Sequence, residues 1–465
     1  MSDKITKTLA EFAGRITYES LSEEVIDEVK RRVIDTFACL ISGYQYDAST
    51  AARKMAYRYE SEKGATVIGT DRKAAVDFAA FANGTAIRYL DYNDTYLSVE
   101  PLHPSDVIAP LLALAEQRGL SGKRLIAAIA VAYEVGVNFC DSASLKSNGW
   151  DHVNYITLAT AVGGANLLGF TEEQTEQAIA LAIVPHAAMR QTRNGEISMW
   201  KAVAAANAAR NAVFALQLVE CGMKGPYEPI VGTMGLNYQM LNKKLDIEEV
   251  FNKFQGVASP SGILKTYVKN WAVEYMTQSA IEAALLLHKQ IDSMENVESI
   301  HIETFQMAFD ILAKDEQKWA PETRETADHS LPFIVIAALE DGHIDIDTFA
   351  EKRLKTESTL QRIKDLMTIE VTDEMNAGYP DGNPNRITVK MKDGTTLQEM
   401  VKHPAGHSGN PFTDDQIYEK FHRLTDGFLS AEQRQNGISL LKALDKVEEY
   451  SDIMASFEVK KEVLA

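Results

Sequence analysis

Apolar positions recur every three to four residues through the first half of the chain, the spacing of helices that bury one face. The clearest case follows the N-cap Ser22-Glu23-Glu24. Val25, Val29, Val33, Phe37, Leu40 and Ile41 share one helical face, and Gly43 closes the segment. The same spacing predicts helices over residues 50–62, 74–88, 105–118, 122–140, 153–168 and 172–184. From Ser198 to Gly222 the chain is Ala-rich and, through Ala202-Val203-Ala204-Ala205-Ala206, free of charge; such a helix belongs at the centre of a bundle. No alternating pattern precedes residue 295, so no Rossmann unit and no strand is expected there.

The pattern changes after the Ser259-Pro260-Ser261-Gly262 break. A helix over 273–290 is followed by the alternating Ser299-Ile300-His301-Ile302-Glu303, then by helices over 324–340 and 346–364. Met367–Val371 reads as a strand, and Arg386–Met391 with Thr395–Met400 as a hairpin around Asp393-Gly394. From Pro411 the chain is helical again. The expected fold is therefore mainly α: a large all-α domain built from both chain ends (residues 1–266 and 403–465) with a smaller α+β domain (267–402) inserted. A cleft between two such domains is a common place for a ligand.

Composition narrows the function. The chain has 465 residues, 45% hydrophobic and 24% charged, which is the profile of an ordinary globular protein. With 47 basic against 66 acidic residues its formal charge is −19, so nucleic acid and anionic membrane are not expected as partners. An anionic small molecule would need a local cluster of cations. The three cysteines, Cys39, Cys140 and Cys221, are too far apart for a disulfide framework or a paired metal motif, which fits a reducing compartment. The polar start Met1-Ser2-Asp3-Lys4 does not read as a signal peptide, and no apolar run reads as a membrane span; a cytoplasmic protein is expected. Phosphate-loop, dinucleotide, zinc-protease and nucleophile-elbow signatures are missing.

Several polar clusters interrupt the apolar helices. Leu90-Asp91-Tyr92-Asn93-Asp94-Thr95 and His103-Pro104-Ser105-Asp106 put carboxylates, a hydroxyl and an imidazole in one connection, either as site residues or as helix caps. Trp150-Asp151-His152 precedes another helix, where a histidine serves as a cap, a packing residue or an acid/base group. Arg190-Gln191-Thr192-Arg193-Asn194-Gly195 leads to Trp200-Lys201, a lysine that either meets an anion or snorkels to solvent. Lys265 and Lys269 lie at the inferred domain junction, and Glu322, Arg324, Glu325, Asp328 and His329 form a second polar knot. Gly406–Pro411 reads as a flexible loop.

In order along nearly the whole chain, these segments resemble the MmgE/PrpD family, which includes 2-methylcitrate dehydratases and cis-aconitate decarboxylases. The pieces that carry the resemblance are the two motifs at 90–95 and 103–106, Trp200-Lys201, Gly222-Met223-Lys224-Gly225-Pro226, and Arg324–Ser330. The resemblance implies a helical domain with an α+β lid, a homodimer and a site at the domain cleft. It carries the family's functional residues onto Asp91, Thr95, His103, His152, Lys201 and Lys269. Many relatives have Pro at Ala272 and His at Met276; Glu274, where the decarboxylase branch has His, leans toward dehydration.

The expectation is a lyase without metal or other cofactor, acting in propionate catabolism on 2-methylcitrate or a similar tricarboxylate. His103 and Asp91 are the expected acid/base set, with His152 a second candidate. Lys201 and Lys269 would stabilise carboxylate charge, while Thr95, Arg193 and Glu274 would bind substrate. An iron–sulfur route needs clustered thiolates, which three isolated cysteines do not supply. Decarboxylation of cis-aconitate, isomerisation or epimerisation of a dicarboxylate, and a catalytically dead helical scaffold are the competing expectations.

Overall fold

The computed structural model describes residues 3–194 and 197–460 and divides into two compact units, Met1–Val268 with Thr413–Ala465, and Lys269–Phe412. The expected breaks at 266/267 and 402/403 thus fall at 268/269 and 412/413. The protein is 59% helical and its described residues include a small mixed sheet of four strands, so it is mainly α with an α+β part.

The first unit is a helical bundle whose long members are Glu23–Ser42, Val76–Tyr89, Gly122–Ser142, Val153–Leu168 and Trp200–Glu220. Small residues let these helices approach closely. A Cβ on Gly163 would lie 2.8 Å from the Ala128 carbonyl oxygen, and one on Gly84 3.0 Å from Ala206 Cβ. Gly122–Ser142 and Trp200–Glu220 are, against expectation, long and apolar enough to cross a membrane. Their apolar windows are 89% and 67% buried inside the protein, which marks core helices.

A short antiparallel pair, β1 (Glu60–Thr66) and β2 (Lys73–Ala74), corrects the expectation of an unbroken helix over 50–62, which ends at Ala56. Its first residues are polar and exposed and only Gly64-Ala65-Thr66 is buried, so the segment carries no period of two.

In the second unit the strand order is β4 (Met367–Val371), β3 (Val297–Thr304), β5 (Asn385–Met391), β6 (Thr396–Val401). β3 runs parallel to β4 and antiparallel to β5, and β5–β6 is the expected hairpin. Ile300, Ile302, Ile387 and Val389 point into the core, where the helix Gln278–His288 packs on β5 and β6.

Two expected helices are broken. The 324–340 segment splits into Arg324–Ala327 and Leu331–Asp341, because Ser330 caps the second piece by accepting from Phe333 N at 3.1 Å and Pro332 sits in its first turn. The 346–364 segment divides into Glu351–Leu354 and Glu357–Leu366. Gly406–Pro411 is no loose loop: Gly406 N donates to Asn410 O at 2.9 Å, and His407 is buried beside the stacked ring of His403. Burial, then the neighbouring His403, pushes the His407 ring down to about 4.

Candidate active site

The helix Val76–Tyr89 ends two residues before Asp91, whose φ of +51° lies in the left-handed region. That turn reverses the chain and places the next five residues, Tyr92 to Tyr96, in buried positions. Arg88, in the last turn of the helix, holds Asp91 Oδ1 at 2.7 Å through Nη1. Lys201 Nζ, from the start of Trp200–Glu220, lies 3.3 Å from Asp91 Oδ2, and His103 Nε2 lies 3.7 Å from Oδ1. One carboxylate therefore gathers a guanidinium, an ammonium and an imidazole, all taken largely out of water.

The His103 ring is oriented from behind. Its Nδ1 donates to the Asp94 carbonyl at 2.8 Å, which leaves Nε2 facing Asp91. Asp94 is fully buried: Oδ1 accepts from Ser105 N at 2.8 Å, Oδ2 accepts from Tyr133 Oη at 2.8 Å, and Arg32 Nε is 3.5 Å from Oδ2. Burial raises this carboxyl above its usual range despite those partners. Asp94 thus holds the motif together rather than facing a ligand.

The second imidazole, His152, stands 5.9 Å from His103 between ring centroids. Its Nδ1 is 3.3 Å from Asp151 Oδ1, and Arg193 Nη2 approaches its Nε2 at 3.5 Å. Arg193 Nε also spans Asp151, at 3.0 Å to Oδ2 and 3.2 Å to Oδ1. Burial, then Arg193, lowers His152 well below the ordinary imidazole value and keeps the ring neutral; the opposing pull of Asp151 is weaker. For Asp151 itself burial acts upward, but the carboxyl lies low, with the Arg193 guanidinium and the Val153 N–H both acting downward.

A third carboxyl, Asp106, accepts from Asn93 Nδ2 at 3.0 Å through Oδ1, and its other oxygen is buried without a protein partner. Burial pushes it up to about 7, against the pull of Arg88.

The structure brings together Asp91, His103, His152, Lys201 and Arg193. Thr95 lies in the same motif, buried, with Oγ1 donating to Leu102 O at 3.2 Å and its backbone paired to Tyr267. Lys269 and Glu274 belong to the second unit. There Lys269 is buried, with Nζ donating to Val273 O at 3.1 Å, and Glu274 Oε2 accepts from Met276 N at 2.7 Å. Lys265 is a surface residue 3.8 Å from Asp141. In the knot at 322–329, Asp328 binds the ring of His329, and its carbonyl accepts from Glu274 N at 2.9 Å. Gly195 lies outside the described residues.

Sequence reasoning missed Arg88 and Arg32 as members of this arrangement, and it named Asp106 in the motif without its raised carboxyl. A signal existed for both arginines. Arg88 is a lone cation in an apolar helical turn three residues before Asp91, and Arg32 lies beside the apolar stripe four residues after Glu28, which it meets at 2.6 Å. The raised Asp106 comes from burial, which spacing does not reveal.

The chain thus combines a helical bundle, in which buried acid, base and cationic groups surround one carboxylate, with an α+β unit. The chain belongs to the MmgE/PrpD family: residues 7–248 match the MmgE/PrpD N-terminal domain and residues 271–446 the C-terminal domain. It is similar to the mitochondrial 2-methylcitrate dehydratase of Yarrowia lipolytica, 25% identical with 91% of this chain and 84% of that protein covered. It is also similar to the 2-methylcitrate dehydratase of Cupriavidus necator, at 27% with 87% and 86% covered. A third relative is the cis-aconitate decarboxylase-like protein oryM of Aspergillus oryzae, at 25% with 97% and 96% covered. The relatives' names support a lyase-type enzyme of the dehydratase class.

Proposed function

We propose that this protein removes water from 2-methylcitrate or a similar tricarboxylic hydroxy acid, giving 2-methyl-cis-aconitate, with side chains alone as catalysts. The observation that carries the reading is the pairing of two buried imidazoles in different surroundings, His103 beside the Asp91 carboxylate and His152 between the Asp151 carboxylate and the Arg193 guanidinium. Dehydration needs two such groups, one to take the proton α to a carboxylate and one to protonate the departing hydroxyl.

In this reading neutral His152 accepts the α-proton. The C–H electrons form the double bond, the C–O bond breaks, and protonated His103, balanced by Asp91, delivers its proton so that water leaves. Exchange of protons with solvent resets both rings. Lys201 and Lys269 stabilise the carboxylate charge that grows as the proton departs, and Thr95, Arg193 and Glu274 bind substrate. The local cations answer the adverse global charge of −19. Cys39 and Cys140 are buried and Cys221 is exposed, in separate segments, so among the described residues they supply no thiolate cluster for an iron-based route. A cytoplasmic homodimer completes the proposal, readable by fractionation and sedimentation.

Incubation of purified protein with 2-methylcitrate and, separately, with cis-aconitate, with products identified by NMR, tests the reading. Loss of water from the first substrate, undiminished after chelator treatment, is expected. Itaconate and carbon dioxide from the second with no turnover of the first would overturn it in favour of decarboxylation, and activity restored only by added iron would overturn the metal-free route.

A further inference from the structure

The left-handed backbone of Asp91 sets where its carboxylate points. A side chain in that region costs about 1 kcal/mol or more, and such a conformation persists only where its surroundings over-determine it. On the N-terminal side Asp91 N donates to Arg88 O at 3.2 Å, continuing the helix end. The other side is held from 328 residues away in sequence.

Lys420, on the helix Asp414–Thr425, is buried to 2% exposure, and its Nζ donates to Tyr92 O at 3.0 Å. The same ammonium lies 4.2 Å above the centroid of the Tyr92 ring and 2.6 Å from Asp35 Oδ1, itself buried on Glu23–Ser42. Three residues further along, Arg423 Nη2 donates to Tyr92 Oη at 2.9 Å. Tyr92 is therefore gripped at its carbonyl, ring face and hydroxyl. Burial of an ammonium costs several kcal/mol unless partners surround it, and a packing role alone would be served by an apolar residue of this length.

We propose that Lys420 is a positioning residue of the active site: paired with Asp35, it clamps Tyr92 and so maintains the Asp91 backbone that aims the carboxylate at Lys201 and His103. The helix Asp414–Thr425 thereby takes part in the site without contributing a group to it. A chain that lost this helix would keep Asp91, His103 and Lys201 but not their mutual geometry.

The test is the paired variant Asp35→Leu with Lys420→Met, which removes both buried charges and leaves neither unpaired. Folding is checked by circular dichroism and urea denaturation. In the folded variant, amide hydrogen exchange across residues 88–96 should rise about tenfold or more, while peptides from Gly122–Ser142 stay unchanged. The kcat for dehydration should fall about a hundredfold with KM within about twofold, the mark of lost alignment rather than lost binding. Should the pair not fold, Lys420→Arg keeps the charge, displaces the donor and carries the same two readouts. The kinetic arm rests on the dehydratase reading and the exchange arm does not. A clamped loop in a wild-type protein that dehydrates nothing overturns that reading alone, whereas unchanged exchange and kcat in a folded variant overturn the clamp.

Discussion

Replacing Asp106 with Asn tests the electrostatic account of the site through folding, without any substrate. Burial moves this carboxyl from 3.8 to about 7 in the native protein. Between those values the unfolded chain has lost the proton and the folded chain retains it. The folded state then binds more protons, so the contribution of Asp106 to stability is fully present below about pH 4 and is lost as the pH rises through about 7. The shift is about 3 units, and at 1.36 kcal/mol per unit the full change is about 4 kcal/mol. Over the window from about pH 5.5 to about pH 8 roughly 2 kcal/mol of it should be visible. Asn keeps the acceptor for Asn93 Nδ2 but does not titrate. Urea denaturation of both proteins at half-unit steps, extrapolated linearly, gives the difference in unfolding free energy at each pH. Wild type should lose stability relative to Asp106→Asn by about 2 kcal/mol across the window, whatever constant offset the amide adds. A difference that stays flat, or that rises with pH, would refute the assignment of a protonated, desolvated Asp106 to the native site.

Three further outcomes follow from particular contacts. Arg193→Gln removes the guanidinium that, after burial, most depresses His152; the His152 midpoint, read by NMR, should move up toward the ordinary imidazole value, and dehydration should lose activity on the acid side. An unmoved midpoint would show that burial alone governs the ring. Gly163→Ala puts a methyl 2.8 Å from the Ala128 carbonyl oxygen and 2.8 Å from Ala132 Cβ, and denaturation should show a loss of about 1–3 kcal/mol. Ser330→Ala should cost about 1 kcal/mol by leaving Phe333 N without its cap, a lowered melting temperature with unchanged kcat being the expected result.

Much of the helical half could be read from its pattern. Glu23–Ser42, Gly122–Ser142 and Val153–Leu168 lie where the periodic apolar residues put them, and Gly43 closes the first as expected. The boundaries failed where a local interaction competes with periodicity. Ser330 and Pro332 cut one predicted helix, and the exposed polar start of β1 hid a strand. The site divides in the same way. Asp91, His103, His152 and Lys201 drew notice as polar residues in apolar surroundings, but the pattern left capping and packing roles open and the family resemblance assigned them to a site. The separate tasks of Asp94, which orients His103, and Asp91, which gathers the cations, look alike in sequence because both are aspartates in one short motif.

The amino-acid sequence by itself determined the helical periodicity, the supply of acid, base and cationic groups, and the −19 charge that requires those cations to be local. Those properties depend on residue type and near spacing, which a single chain displays directly. Tertiary structure decided the protonation and the aim of each group. Burial keeps His152 neutral and lifts Asp106 to about 7, and Lys420 reaches Tyr92 only because two distant helices pack against the same turn. Desolvation and long-range contact arise from packing, and packing exists only once the chain has folded.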